Sequence, residues 1–100
     1  MLTKTALTAA ALSLLAAIPA AASSDGAWQQ MRADIRAKCL AQHKKVGSAG
    51  KTAIEVNPFG SERFGAAILT TRLKAGGTER TVCIYDKAAR TAELTAPFGN

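Results

Sequence analysis

Cys39 and Cys83 are the only two cysteines in the chain, 44 positions apart, and whether they pair decides what so short a chain can fold into. The compartment settles that question, and residues 1–22 specify the compartment. Lys4 supplies a positive start, residues 5–18 form a run of Ala, Leu, Ile and small hydroxyl side chains, and Pro19 interrupts it. Ala20 and Ala22 then give the small-residue pattern of a cut before Ser23. A spanning helix needs about 20 continuous apolar residues. This run is shorter, carries threonine and serine, and ends at proline. A lipid-anchored form would need a cysteine at the cut, and the nearest one is Cys39. The pattern is that of a cleaved secretory signal peptide over residues 1–22, followed by one small domain over residues 23–100. It predicts a periplasmic or secreted location and no transmembrane segment after cleavage.

In an oxidising compartment disulfides persist, and two cysteines allow one intramolecular pairing. A domain of this size buries only about 60% of the surface its unfolded chain exposes, so a covalent fastening is expected. Closing a loop of this length contributes roughly 4 kcal/mol by the chain-entropy argument. A redox role has no support, because there is no C-x-x-C spacing and no adjacent histidine to lower a thiol pKa.

Asp25 is placed to cap a helix over residues 26–45. Trp28, Met31, Ile35 and Cys39 recur at helical spacing and form its apolar stripe. Asp34 precedes Lys38 by four, Lys44 and Lys45 suit the negative helix end, and Gly47 suits its stop. From Lys51 onward the pattern becomes β-branched runs separated by turn residues, which predicts strands at 52–56, 64–73, 79–85 and 91–95. Short connections make neighbouring strands antiparallel. The expected fold is α+β, with one N-terminal amphipathic helix packed on a three- to four-stranded antiparallel β-meander and stapled by one disulfide. If Cys83 points at the helix, Thr81 and Tyr85 follow it, while Val82 and Ile84 point away onto a face with no evident cover. The alternatives to a contact face are that the C-terminal Pro97 and Phe98 fold back over it or that its exposed apolar residues are scattered singly.

Catalytic residues are not found. His43 is the only histidine and has no nucleophile placed beside it, and the seven acids are spread singly along the chain. No metal is expected, since one histidine and two disulfide-bonded cysteines cannot close a tetrahedral site. No cofactor is expected either, because the glycines lack any phosphate-cradling pattern. The net charge is +6, one less once Lys4 leaves, and it favours anionic partners. Nucleic acid is not indicated, since the few aromatic residues are not interleaved with the basic ones. Candidate contact residues are Arg32, Arg36, Lys44 and Lys45 on the helix and Val82 and Ile84 on the sheet.

The segment TVCIYDKAARTAEL, residues 81–94, together with the helix-then-strands order, resembles small bacterial envelope domains of the PepSY type. In these a hydrophobic strand runs into Asp, a short turn and a last strand, matched here by residues 82–86 and 92–94. The chain departs from them in its cysteine pair and in having Ala89 and Arg90 where a glycine is usual. It is similar as well to small disulfide-bearing α/β periplasmic proteins of proteobacteria without assigned activity. The PepSY likeness implies regulation or inhibition of an exported peptidase, and neither likeness supplies an active residue. The sequence thus points to a non-enzymatic exported binding module contacting an envelope protein or an anionic envelope component. A small enzyme with an acidic site, or a structural subunit that dimerises, is the alternative.

Overall fold

The computed structural model describes residues 24–98, and the signal peptide assigned to residues 1–22 lies outside them. The elements follow in the order α1 (Asp25–Val46), β1 (Gly50–Val56), β2 (Phe64–Leu73), β3 (Thr78–Asp86) and β4 (Thr91–Leu94). The strands form one antiparallel sheet in chain order, β1-β2-β3-β4, with α1 packed across one face. This is the α+β meander expected from the sequence, with four strands.

The helix starts one residue earlier than expected. Ser24 has extended torsions and its Oγ accepts the N–H of Ala27 at 3.1 Å, so serine is the cap. Asp25 occupies the first turn, where its charge faces the positive helix end. At the other end, Gly47 donates its N–H to the His43 carbonyl with an extended backbone. Glycine is required there by space, since a Cβ would collide with the His43 ring.

Strand register places the core. The row Val56, Ala67, Cys83 and Leu94 crosses all four strands, and Cys83 sits at its centre. Cys39 and Cys83 form the disulfide, with Cα atoms 5.9 Å apart and both side chains fully buried. Around it Ile35, Ala67, Leu69 and Tyr85 are buried, with Met31, Leu40, Ile54, Val56, Ala92 and Leu94 packed at the margin. Gly65 lets the helix approach this closely, because a Cβ there would collide with Ile35 Cδ1. Trp28, at the head of the predicted stripe, leaves the core. It is half-buried edge-on against Phe59, with ring centroids 4.9 Å apart, because the helix start lies over the β1–β2 loop.

Two polar groups under the helix are satisfied. Buried Thr71 shares its hydroxyl with Thr52 Oγ1 at 2.9 Å and His43 Nε2 at 3.2 Å, which gives the lone histidine a structural partner. Tyr85 donates its hydroxyl to Asp34 Oδ2.

Candidate interaction surface

β-strand alternation divides the sheet into a helix-covered face and an outer face. Thr81, Cys83 and Tyr85 are buried toward the helix, while Val82 is half-buried and Ile84 is 36% exposed on the other side. On β2 the outward residues are Phe64, Ala66, Ile68, Thr70 and Arg72, of which Ile68 is 42% exposed. Register aligns Ile68 with Val82 and Ala66 with Ile84, so four apolar side chains form a patch at the centre of the outer face.

Residues 95–98 do not cross this patch. The N–H groups of Thr95 and Phe98 donate to the carbonyls of Val82 and Arg80, both at 2.8 Å, which extends the chain along the edge of β3. The backbone of β3 is thereby paired, and the outer side chains remain uncovered by that segment.

Most charges on the outer face are segregated along the strands, with Glu55 beside Ile68 in the central row and Arg63 over Phe64 at the acidic end as exceptions. Lys51 and Arg72 are register partners at one end, with Arg80 one row closer to the centre. At the opposite end Asp86 follows Ile84 on β3, and Glu93 is the register partner of Ile84 on β4. Phe64, Ile84, Asp86, Thr91, Ala92 and Glu93 line a hollow of about 280 Å³. Two carboxylates therefore share one open depression with apolar walls. Asp86 Oδ1 accepts the N–H groups of Ala88 and Ala89 at 2.9 and 3.0 Å, so this carboxylate also fixes the β3–β4 turn. Among the described residues, Arg80 and Glu93 make no ion pair within the copy.

The helix cations are divided in their duties. Arg32 donates to the Pro58 carbonyl at 2.9 Å and lies over the Phe59 ring at 5.8 Å. Lys87 reaches the same loop from the β3–β4 turn, donating to the carbonyls of Phe59 and Ser61 and lying 5.2 Å from the centre of the Trp28 ring. Together they hold residues 57–63 against the helix. Lys38 pairs with Asp34 at 3.4 Å and donates to the Arg90 carbonyl at 2.7 Å. Arg36, Lys44 and Lys45 are exposed, separated from the outer sheet face by the thickness of the molecule. The sequence candidates thus fall on two opposite surfaces: the helix side, with Arg32, Arg36, Lys44 and Lys45, and the sheet side, with Val82 and Ile84.

The Tyr85–Asp34 contact is the strongest electrostatic perturbation. Burial, reinforced by donation to the Asp34 carboxylate, pushes the Tyr85 hydroxyl up to about 12. The same hydrogen bond, helped by Lys38, holds the Asp34 carboxyl below its usual range. This pair lies between helix and sheet, where it binds the two layers together.

Sequence reading located Val82 and Ile84 but did not assemble the patch. Phe64, Ala66 and Ile68, and the charged ends formed by Arg72, Arg80, Asp86 and Glu93, emerge only when strand register is known. Their signal in the sequence is the alternation within β2 and β3, which gives the face but not which rows meet. Among the described residues, no helix is long and apolar enough to cross a membrane, and no three His, Cys, Asp or Glu side chains come together as a metal-holding group. No family model matches the chain, and no curated protein or solved structure does.

Proposed function

We propose that this chain is an exported, non-enzymatic interaction module of the bacterial envelope whose contact surface is the outer face of its sheet. The observation that carries this reading is the central patch of Ala66, Ile68, Val82 and Ile84, uncovered by the helix or by residues 95–98. Large side chains such as Ile68 and Ile84 gathered on one open face point to association more than isolated exposed residues do. Export is supported by the signal-peptide pattern, and the buried disulfide is compatible with an oxidising compartment.

The acidic hollow is the observation that speaks for an enzyme instead, since Asp86 and Glu93 share it. The interaction reading is preferred because one Asp86 oxygen is committed to the turn and because the hollow opens onto the same outer face. Replacement of Ile68 by Glu tests the reading. The substitution falls on an exposed position, thermal melting verifies that the fold is kept, and the purified chain used as bait should lose every protein, its own kind included, that the wild type retains from an envelope extract. Undiminished capture by Ile68→Glu at both low and high salt would move the contact surface elsewhere.

A further inference from the structure

We infer that the occupant of the outer sheet face is a second copy of this chain, stacked face to face with its strands reversed. This rests on the reading of that face as the contact surface and adds the identity and orientation of the partner. The charge pattern carries it. A two-fold axis lying across the strands, through the row of Ile68 and Val82, places each row on the row equally far beyond that centre. The row of Thr70, Arg80 and Phe98 then meets the partner's row of Ala66, Ile84 and Glu93, with Phe98 over the partner's Glu93. Likewise the row of Lys51, Arg72 and Thr78 meets the partner's Phe64, Asp86 and Thr91.

Arg80 thereby lands over the partner's Ile84, one strand spacing of about 5 Å from the partner's Glu93. Arg72 lands over the partner's Phe64, beside the partner's Asp86. The hollow lined by Phe64, Ile84, Asp86 and Glu93 offers what a guanidinium needs, an apolar floor and two carboxylates. Arg63 lies over the Phe64 ring at 5.4 Å within the same copy, so this ring already carries one cation contact. Every contact occurs twice, as an isologous interface requires. An axis running along the strands would instead gather the arginines of both copies at one end. Glu55, the register partner of Ile68 at the β1 edge, lies near the preferred axis and faces the partner's Glu55, a like-charge encounter that the arginine–carboxylate pairs must outweigh.

Area is consistent with this partner. Four strands about 4.8 Å apart and up to about 30 Å long present roughly 500 Å² per copy. A pair would bury about 1,000 Å² in total, the lower limit of a specific interface.

A charge swap tests both partner and register. Arg80→Glu gives a face with two Glu–Glu encounters, and Glu93→Arg gives one with two Arg–Arg encounters. Each variant, purified after expression of the full chain and shown by thermal melting to be folded, should self-associate about tenfold or more weakly than wild type in sedimentation equilibrium. An equimolar mixture should recover the dimer, because in the mixed pair one encounter is the native Arg80–Glu93 and the other joins the two substituted side chains with their charges exchanged. Self-association of either variant at wild-type strength, or a mixture as weak as its components, overturns the proposed register. A wild-type chain that stays monomeric at a few hundred micromolar overturns the second copy as occupant. In that last case, Ile68-dependent capture of a different protein would leave the reading of the face itself standing.

Discussion

Replacing Cys39 and Cys83 together by alanine cuts the covalent link between the middle of α1 and the central row of the sheet. The bond closes a loop with a sequence separation of 44, and releasing it returns roughly 4 kcal/mol of conformational freedom to the unfolded chain. Both sulfurs are fully buried, so their removal also leaves small voids costing about 1–2 kcal/mol. A domain of this length has a total stability of about 4–11 kcal/mol. The variant should therefore be close to half unfolded at room temperature, or melt about 15–30 °C below wild type. Thermal and urea unfolding followed by Trp28 fluorescence gives the measurement. The urea dependence should also steepen, because an uncrosslinked denatured chain exposes more surface. Reduced wild type should behave as the double variant does, apart from the smaller packing loss. A melting temperature lowered by less than about 5 °C, with an unchanged urea dependence, would refute the claim that this staple stabilises a thin core.

Tyr85 is the only tyrosine, so tyrosinate absorbance reports on it alone, and its titration should centre near pH 12 instead of near 10. Because its folded pKa is raised, the stabilisation is complete below about pH 10 and is lost as pH rises through 12. Asp34 has the opposite sign: its depressed pKa stabilises the fold above its ordinary range, and this is lost as pH falls through the lowered value. Tyr85→Phe should remove the first dependence, weaken the second, which Lys38 also supports, and cost about 1–2 kcal/mol in urea unfolding, and an ordinary titration in the wild type would show that the contact is not formed. Gly65→Ala should destabilise by about 1–3 kcal/mol although its backbone tolerates alanine, because the added methyl meets Ile35; a neutral result would mean that helix and sheet are not in close contact there.

Fold class was legible because each level of the sequence pointed the same way. The helical spacing of Met31, Ile35 and Cys39, and the alternation around Cys83, both assign a face without reference to any partner element. Helix and strand ends were less legible, as the shift of the cap from Asp25 to Ser24 shows. Either residue can accept a first-turn N–H, and the choice depends on where extended backbone gives way to helix. Trp28 shows a different limit, since helical periodicity cannot say that the sheet has ended and that a loop carrying Phe59 lies beneath the first turn. The proposed contact surface was half legible. Val82 and Ile84 follow from the parity of Cys83, but the opposed charges of Arg80 and Glu93 lie on different strands. Their relation depends on a register that only the paired backbone fixes.

The disulfide also divides the chain into what is enclosed and what is not. β1, β2 and the loop of residues 57–63 lie inside the covalent ring, whereas β4 and the residues after it lie outside. A protease that cuts within residues 57–63 therefore produces no free fragment: the two pieces remain one molecule, heavier by a single water, until a reductant parts them. A cut in residues 87–90 severs β4 outright and leaves it held by noncovalent contacts alone. Chain cleavage and loss of the domain are thus separate events on one side of Cys83 and nearly the same event on the other.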